Sequence, residues 1–255
     1  MIRHIDDNFF QHSWKIPSQS AGMVVTHLKS LTFVDSGLSC DTFNIIHIHD
    51  GLNLSKEELS NALQHFKSRN LEYCIWINGQ NLSVEVKDYL EEQSVSEQNK
   101  EVGMVLDLKS YKQIGSEQHS NIEIVKNSQQ LTAYATVIAE NWSPPDENVI
   151  KYYDRTSSQY LSTDSKIILL VYYHEGKPVS TVEMFPSSRE TIGLYGFATL
   201  SSHRGLGIGT SLMTFALNKC KEVGYTHAIL QASEDGIGIY RKFGFKELTT
   251  YFEYA

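Results

Sequence analysis

The sequence predicts an α/β protein built from two similar halves, on three observations. Short β-branched runs alternate with amphipathic helical segments along most of the chain. Two stretches, "SNALQHFKSRNLEYCIWI…VKDYLEE" and "MTFALNKCKEVGYTHAIL…GIYRKFGF", repeat one order: amphipathic helix, polar turn, strand, short tyrosine-bearing helix, final strand. Between them, "KSYKQIGSEQHSN" (109–121) is too polar to enter a core and reads as a linker.

The 255 residues are 41% hydrophobic and 20% charged, a composition able to bury a sizeable core. A net charge of −8 argues against a surface that tracks nucleic-acid phosphates or acidic membranes, while a local basic pocket for one small anion stays open. Cys40, Cys74 and Cys220 are scattered and odd in number, so neither a disulfide framework nor a zinc site is expected, and a reducing cytoplasm is. The opening "MIRHIDDNFFQHSW" has no long apolar stretch, and nowhere do 18 apolar residues run together. A chain that is neither secreted nor membrane-spanning is expected.

In the first half, residues 1–35 are mixed, with a short helix expected in "AGMVVTHLKSLTFVDSG". "TFNIIHIHD" (42–50) reads as a strand. The helix over 54–70 opens with Ser55 and Glu58, a capping-box spacing, and lines up Leu59, Leu63 and Phe66. Strand, helix and strand follow at 71–77, 83–93 and 102–108.

The second half starts with a strand at 122–127 and a helix at 128–142, capped by Ser128 and stopped by "SPP" (143–145). After a loop or short helix, "KIILLVYYHEGKPVSTVEMFP" (166–186) reads as a hairpin around His174-Glu175-Gly176-Lys177. "TIGLYGFATL" (191–200) is a strand that runs into "SSHRGLGIGTSL" (201–212). The helix beyond has its apolar face on Ile208, Leu212, Phe215, Ala216 and Val223, with Gly224 as its stop.

Strand, glycine loop, helix is an arrangement that receives phosphate. The first amides of a helix lack intrahelical acceptors, the helix dipole adds positive potential there, and glycines let an anion approach the bare backbone. A tight strand-to-helix turn needs the same glycines. No Gly-Lys-Ser/Thr follows, which excludes a Walker loop, and the position near the C-terminus is wrong for a dinucleotide fold.

Over about residues 120–255 the chain resembles a GCN5-related N-acetyltransferase (GNAT) domain. Arg204-Gly205-Leu206-Gly207-Ile208-Gly209 is similar to the family's Q/R-x-x-G-x-G/A loop, and "HAILQASEDGIGIYRKFGFKEL" (227–248) to its next strand, tyrosine-bearing short helix and closing Gly-Phe turn. The resemblance implies a mixed, largely antiparallel central sheet flanked by helices, in two tandem copies. The first, over 1–115, is degenerate and lacks the loop; the second, over 120–255, is the acetyltransferase domain.

It further implies acetyl-CoA as the cofactor, with its pyrophosphate on the amides of Leu206 to Thr210 and closest to Gly207 and Gly209. The main chain of Phe197, Ala198 and Thr199 would pair with the pantetheine arm, and Gly196 either marks a strand-splaying bulge or simply packs. Ser233 lies near the pantetheine or caps a helix; Arg204 lines the phosphate pocket or anchors the loop; His203 meets a phosphate or solvent. Tyr240 is the expected general acid toward the departing thiolate, against a packing role beside Phe243 and Phe245.

The base is less defined. "TIGLYGFATL" has no carboxylate where many members carry a glutamate. Glu183 in "VSTVEMF" is the candidate, with an exposed strand face as the alternative; Tyr195 is a second, and a water relay needs neither. Trp142, Pro144 and Pro145 either shape substrate entry or, for Trp142, join the core; Trp76 and Tyr89 are read as structural. The implied reaction is acetyl transfer to a primary amine by direct attack, without metal. The acceptor is a small molecule or peptide, not nucleic acid or membrane, and the protein is a monomer or homodimer. A non-catalytic acetyl-CoA sensor is the competing reading.

Overall fold

The computed structural model describes residues 1–112 and 120–255; residues 113–119 of the expected linker lie outside the described residues. The first half contains α1 (Ile2–Lys15), β1 (Val24–His27), β2 (Leu31–Asp35), β3 (Ile45–Ile48), α2 (Lys56–Ser68), β4 (Cys74–Asn78), α3 (Val84–Glu92) and β5 (Glu97–Asp107). The second begins with β6 (Ile122–Ile124), α4 (Ser128–Ala139), α5 (Glu147–Arg155), α6 (Ser157–Tyr160), β7 (Ile168–His174) and β8 (Lys177–Pro186). It closes with β9 (Thr191–Thr199), α7 (Ile208–Val223), β10 (His227–Ala232), α8 (Ile237–Phe243) and β11 (Lys246–Tyr254).

The strands form one 11-stranded mixed sheet ordered β1-β2-β3-β4-β11-β5-β10-β9-β8-β7-β6. Pairing is antiparallel except at β3/β4 and β9/β10, in agreement with the largely antiparallel sheet expected. The halves interleave. β5 of the first half lies between β10 and β11, and β11, the last strand, lies between β5 and β4. The strands before residue 112 and those after residue 120 thus complete one sheet through long registers, from His227↔Asp107 to Ala232↔Val102 and from Lys246↔Val105 to Tyr254↔Glu97.

Three apolar clusters cover the sheet. α2 and α3 bury Leu59, Leu63, Phe66 and Leu90 on Ile46 and Ile75 of the first half. α7 and α8 cover one face of the second half, where Leu212, Leu217 and Phe243 meet Met104, Met184, Leu194 and Leu230. α4 and α5 cover the opposite face with Tyr134, Tyr152 and Tyr153 on Val171, joined by Leu38 from the first half. Period-2 alternation places Ile192 and Leu194 of β9 in the α7 cluster and sends Tyr195 the other way, onto Asn8 of α1.

The first 35 residues depart from expectation. The helix expected at 21–37 is the antiparallel pair β1/β2, registered Val24↔Asp35 to His27↔Thr32, because β-branched residues dominate both runs. The mixed N-terminus is the 14-residue helix α1, whose inward face carries Ile5 and Phe9 together with polar Asn8 and Ser13, which hides its period. At α4 the cap is Asn127 rather than Ser128: its side chain accepts from the Gln130 amide. The helix ends at Ala139, before the prolines, where Asn141 Nδ2 donates to the carbonyls of Val137 and Ile138. Ser55 does cap α2, but Glu58 does not return the bond; its carboxylate accepts from Lys29 and Ser30 and ties the helix to the β1–β2 turn.

Candidate active site

Pairing between β9 and β10 runs from Thr191↔His227 to Gly193↔Ile229 and stops, although both strands continue. On its other side β9 carries an extra residue against β8, where the register passes from Thr181↔Ala198 to Glu183↔Tyr195. Gly196 sits at this bulge with φ +53°, and its carbonyl accepts from Thr181 Oγ1 at 2.9 Å. A Cβ there would collide with the Tyr134 hydroxyl. The bend leaves the β9 edge at Phe197–Thr199 facing a cleft of about 630 Å³.

The glycine loop closes one end of this cleft. Gly205 (φ +79°) and Gly207 (φ +78°) are left-handed, and Gly207 is the N-cap of α7 with no side-chain cap. The first-turn amides of α7 consequently have no side-chain acceptor. Gly209 is needed for space: a Cβ there would stand 3.2 Å from Phe197 Cζ and enter the cleft.

Most of the sequence-derived cofactor candidates line this one cleft: Phe197, Ala198, Thr199, Arg204, Gly205, Gly207, Ile208, Gly209, Thr210, Ser233 and Tyr240. Leu206 does not; its side chain is 62% exposed to solvent. Arg204 takes the anchoring position as well, Nε donating to the Thr199 carbonyl at 3.0 Å. Ser233 lines the wall and also caps, Oγ accepting from the Gly236 amide. His203 faces the cleft and hydrogen-bonds Ser202. Asn141, Asp235 and Lys242 complete the wall, and nothing in the sequence singled them out.

Tyr240, on α8, packs between Phe197 and Phe245, each with ring centroids 5.9 Å away. Burial, aided by the charge of Glu101, raises its pKa and keeps the phenol protonated. Glu101 comes from β5, so the first half contributes to the electrostatics around this tyrosine.

Glu183 lies elsewhere. On β8, opposite Tyr195, it is 2% exposed and lines a smaller cavity of about 120 Å³, shared by α1, the 42–45 segment and α4–α6. The exposed-strand alternative is thereby excluded. Glu183 Oε1 is 3.4 Å from His12 Nε2 but has no partner in hydrogen-bonding geometry. His12 lies flat on Tyr195, centroids 3.7 Å apart and 9° between planes. Burial, with the Glu183 charge adding to it, raises the pKa of Tyr152, Tyr160 and Tyr195, and that of Tyr153 after the nearer Tyr134. Gly196 lines the cavity while the next residues, Phe197–Thr199, line the cleft, so the two spaces share one strand.

Trp142, Pro144 and Pro145 line neither space, and Trp142 is 41% exposed rather than core. In the first half Trp76 meets Phe9 edge to face, and the Tyr89 hydroxyl donates to the Lys56 carbonyl, which are packing roles. His12, Ser13, Thr42 and Phe43 carried no signal, because their segments gave no hint of packing on the second half. Among the described residues, no helix is long and apolar enough to cross a membrane.

Residues 131–245 match the family described as Acetyltransferase (GNAT) family. A 70-residue segment is 36% identical to N-acetyltransferase 8B of Rattus norvegicus; it spans 26% of this chain and 32% of that relative, about a third of its length. Among solved structures, a GCN5-related N-acetyltransferase from Kribbella flavida superposes with a TM-score of 0.71 at 15% identity, over 98% of this chain and 93% of that one. A tandem GNAT protein from the clavulanic acid biosynthesis pathway superposes at 0.58 with 10% identity, over 88% and 77% of the two chains.

Proposed function

We propose, on the match of residues 131–245 to the acetyltransferase (GNAT) family, that this protein transfers an acetyl group from acetyl-CoA to a primary amine. One observation carries the reading: the uncapped α7 terminus, the unpaired edge of β9 and the Tyr240 hydroxyl converge on a single cleft. That cleft suits the cofactor, because the bare amides beside Gly207 and Gly209 match a pyrophosphate and a Cβ at Gly209 would obstruct it.

Acetyl-CoA, when bound, supplies the activated acetyl group. The amides from Gly207 to Thr210 hold its phosphates, with Arg204 and Lys242 adding positive charge at the rim. The main chain of Phe197–Thr199 orients the pantetheine arm as a neighbouring strand would. Glu183 faces the other side of β9 and takes the proton that the attacking ammonium must lose. Tyr240, held protonated by burial, donates its proton to the leaving sulfur. The tandem organisation belongs to the same proposal: 1–115 is a loop-less copy that completes the sheet, and 120–255 carries the cleft.

Incubation with acetyl-CoA and a panel of primary amines, reading free thiol, tests this. Amine-dependent thiol release is expected, with kcat lowered by about 100-fold or more in Tyr240→Phe and coenzyme binding unchanged. Tight coenzyme binding without release on any amine would make the protein a sensor.

A further inference from the structure

We propose that the small cavity behind β9 is a binding site for a compact, singly charged alkylammonium, and that the first half of the chain supplies the wall that selects it. This rests on the acetyl-transfer reading only for calling the ligand the acceptor.

The charge preference comes from Glu183. Its carboxylate is 2% exposed, and Oε1 lacks a hydrogen-bonding partner although it faces the cavity. An anion buried in this way is stabilised by a cation that donates to it. Among the described residues no lysine or arginine lines the cavity, and the nearest basic group, His12 Nε2 at 3.4 Å, is not in hydrogen-bonding geometry with Oε1, so a ligand ammonium would be the group that donates to it. Burial keeps Tyr152 and Tyr195 neutral, so neither adds a charge of its own beside Glu183.

The size limit comes from volume. About 120 Å³ is slightly less than the ~150 Å³ of a cavity that accepts benzene, which corresponds to about five or six non-hydrogen atoms. The apolar body of the ligand would lie along Ile138 and Phe43. Phe43 is held in place by stacking on Tyr152, centroids 3.6 Å apart and 1° between planes. Phe43 and His12 both belong to the first half, so a segment without a phosphate loop supplies part of the wall of this cavity. A carboxylate on the ligand would meet Glu183 and, among the described lining residues, no lysine or arginine, which selects against amino acids.

Calorimetric titration of n-butylamine into the full chain, alone and saturated with coenzyme A, tests the site without requiring turnover. 4-Aminobutyrate and spermidine serve as the carboxylated and the longer, multiply charged comparisons. Butylamine is expected to bind at least tenfold more tightly than either. Glu183→Gln should weaken it by at least tenfold, and Thr42→Trp, at the half-buried rim, should block it while leaving coenzyme binding intact. Equal affinity for 4-aminobutyrate, butylamine binding unaltered in Glu183→Gln, or no amine binding with or without coenzyme would each overturn the proposal. Butylamine selectivity without thiol release would retain the site and reject the transfer reaction instead.

Discussion

The Tyr195 hydroxyl, on β9, donates a 2.6 Å hydrogen bond to the side-chain carbonyl of Asn8, on the first helix of the chain. The Asn8 amide in turn donates to the Phe185 carbonyl and to Ser187 Oγ. Asn8 is fully buried, so one side chain satisfies three groups of the second half and holds α1 against β8 and β9. Gly193 makes room for it, since a Cβ there would collide with the Asn8 carboxamide. The same docking places His12, one turn further along α1, over Tyr195 at the edge of the smaller cavity.

Asn8→Ala therefore leaves the Tyr195 hydroxyl and the Phe185 carbonyl without their partner. A loss of about 3 kcal/mol is expected, seen as a Tm lowered by roughly 6–12 °C in thermal melts. An unchanged Tm would mean that α1 is held by its apolar contacts alone.

Residues 120–255 should not fold by themselves. Without β4 and β5, strand β11 loses both neighbours and β10 loses one, which leaves three strand edges unpaired. Expression of that segment should yield insoluble or molten protein by circular dichroism, and co-expression with 1–115 should rescue it. A cooperative melt of the isolated segment would contradict the shared-sheet account.

Glu101 makes stability depend on pH. Burial, followed by repulsion from Glu253, pushes its carboxyl up to about 7 from an ordinary value near 4.5. Below the unfolded value it is protonated in both states. Between the two values the folded state holds a proton that the unfolded state has lost, and above about 7 it carries a buried charge. Stability thus falls as pH rises from about 4.5 through about 7, by roughly 3 kcal/mol in total. Denaturant melts across that range should show a shallower fall for Glu101→Gln, with the variant more stable than the parent at pH 8.

Gly209→Val tests the cleft without straining the loop, since the left-handed residues are Gly205 and Gly207. The added side chain points at Phe197 and fills the phosphate end. Acetyl-CoA affinity is expected to fall by about 100-fold or more in calorimetry, a loss of about 3 kcal/mol. Unchanged affinity would separate the loop from coenzyme binding.

Local chemistry made much of this molecule legible in its sequence. Ser55 as a cap, the Glu175–Gly176 turn, Gly224 as a helix stop and the Arg204–Gly209 loop all act through contiguous backbone, so their spacing announces them. The cap at Asn127 and the helix at 2–15 were less visible, the first because Ser128 competes for the role beside it and the second because Asn8 and Ser13 interrupt the apolar face. What the sequence by itself determined was the alternation of elements and the phosphate-receptive strand–loop–helix unit. Only the tertiary structure decided that β5 enters the other half's sheet, that Glu183 is buried against a small cavity, and that His12 and Phe43 form part of its wall. Those outcomes depend on strand register and on one helix docking across nearly the whole chain, and no local pattern carries either.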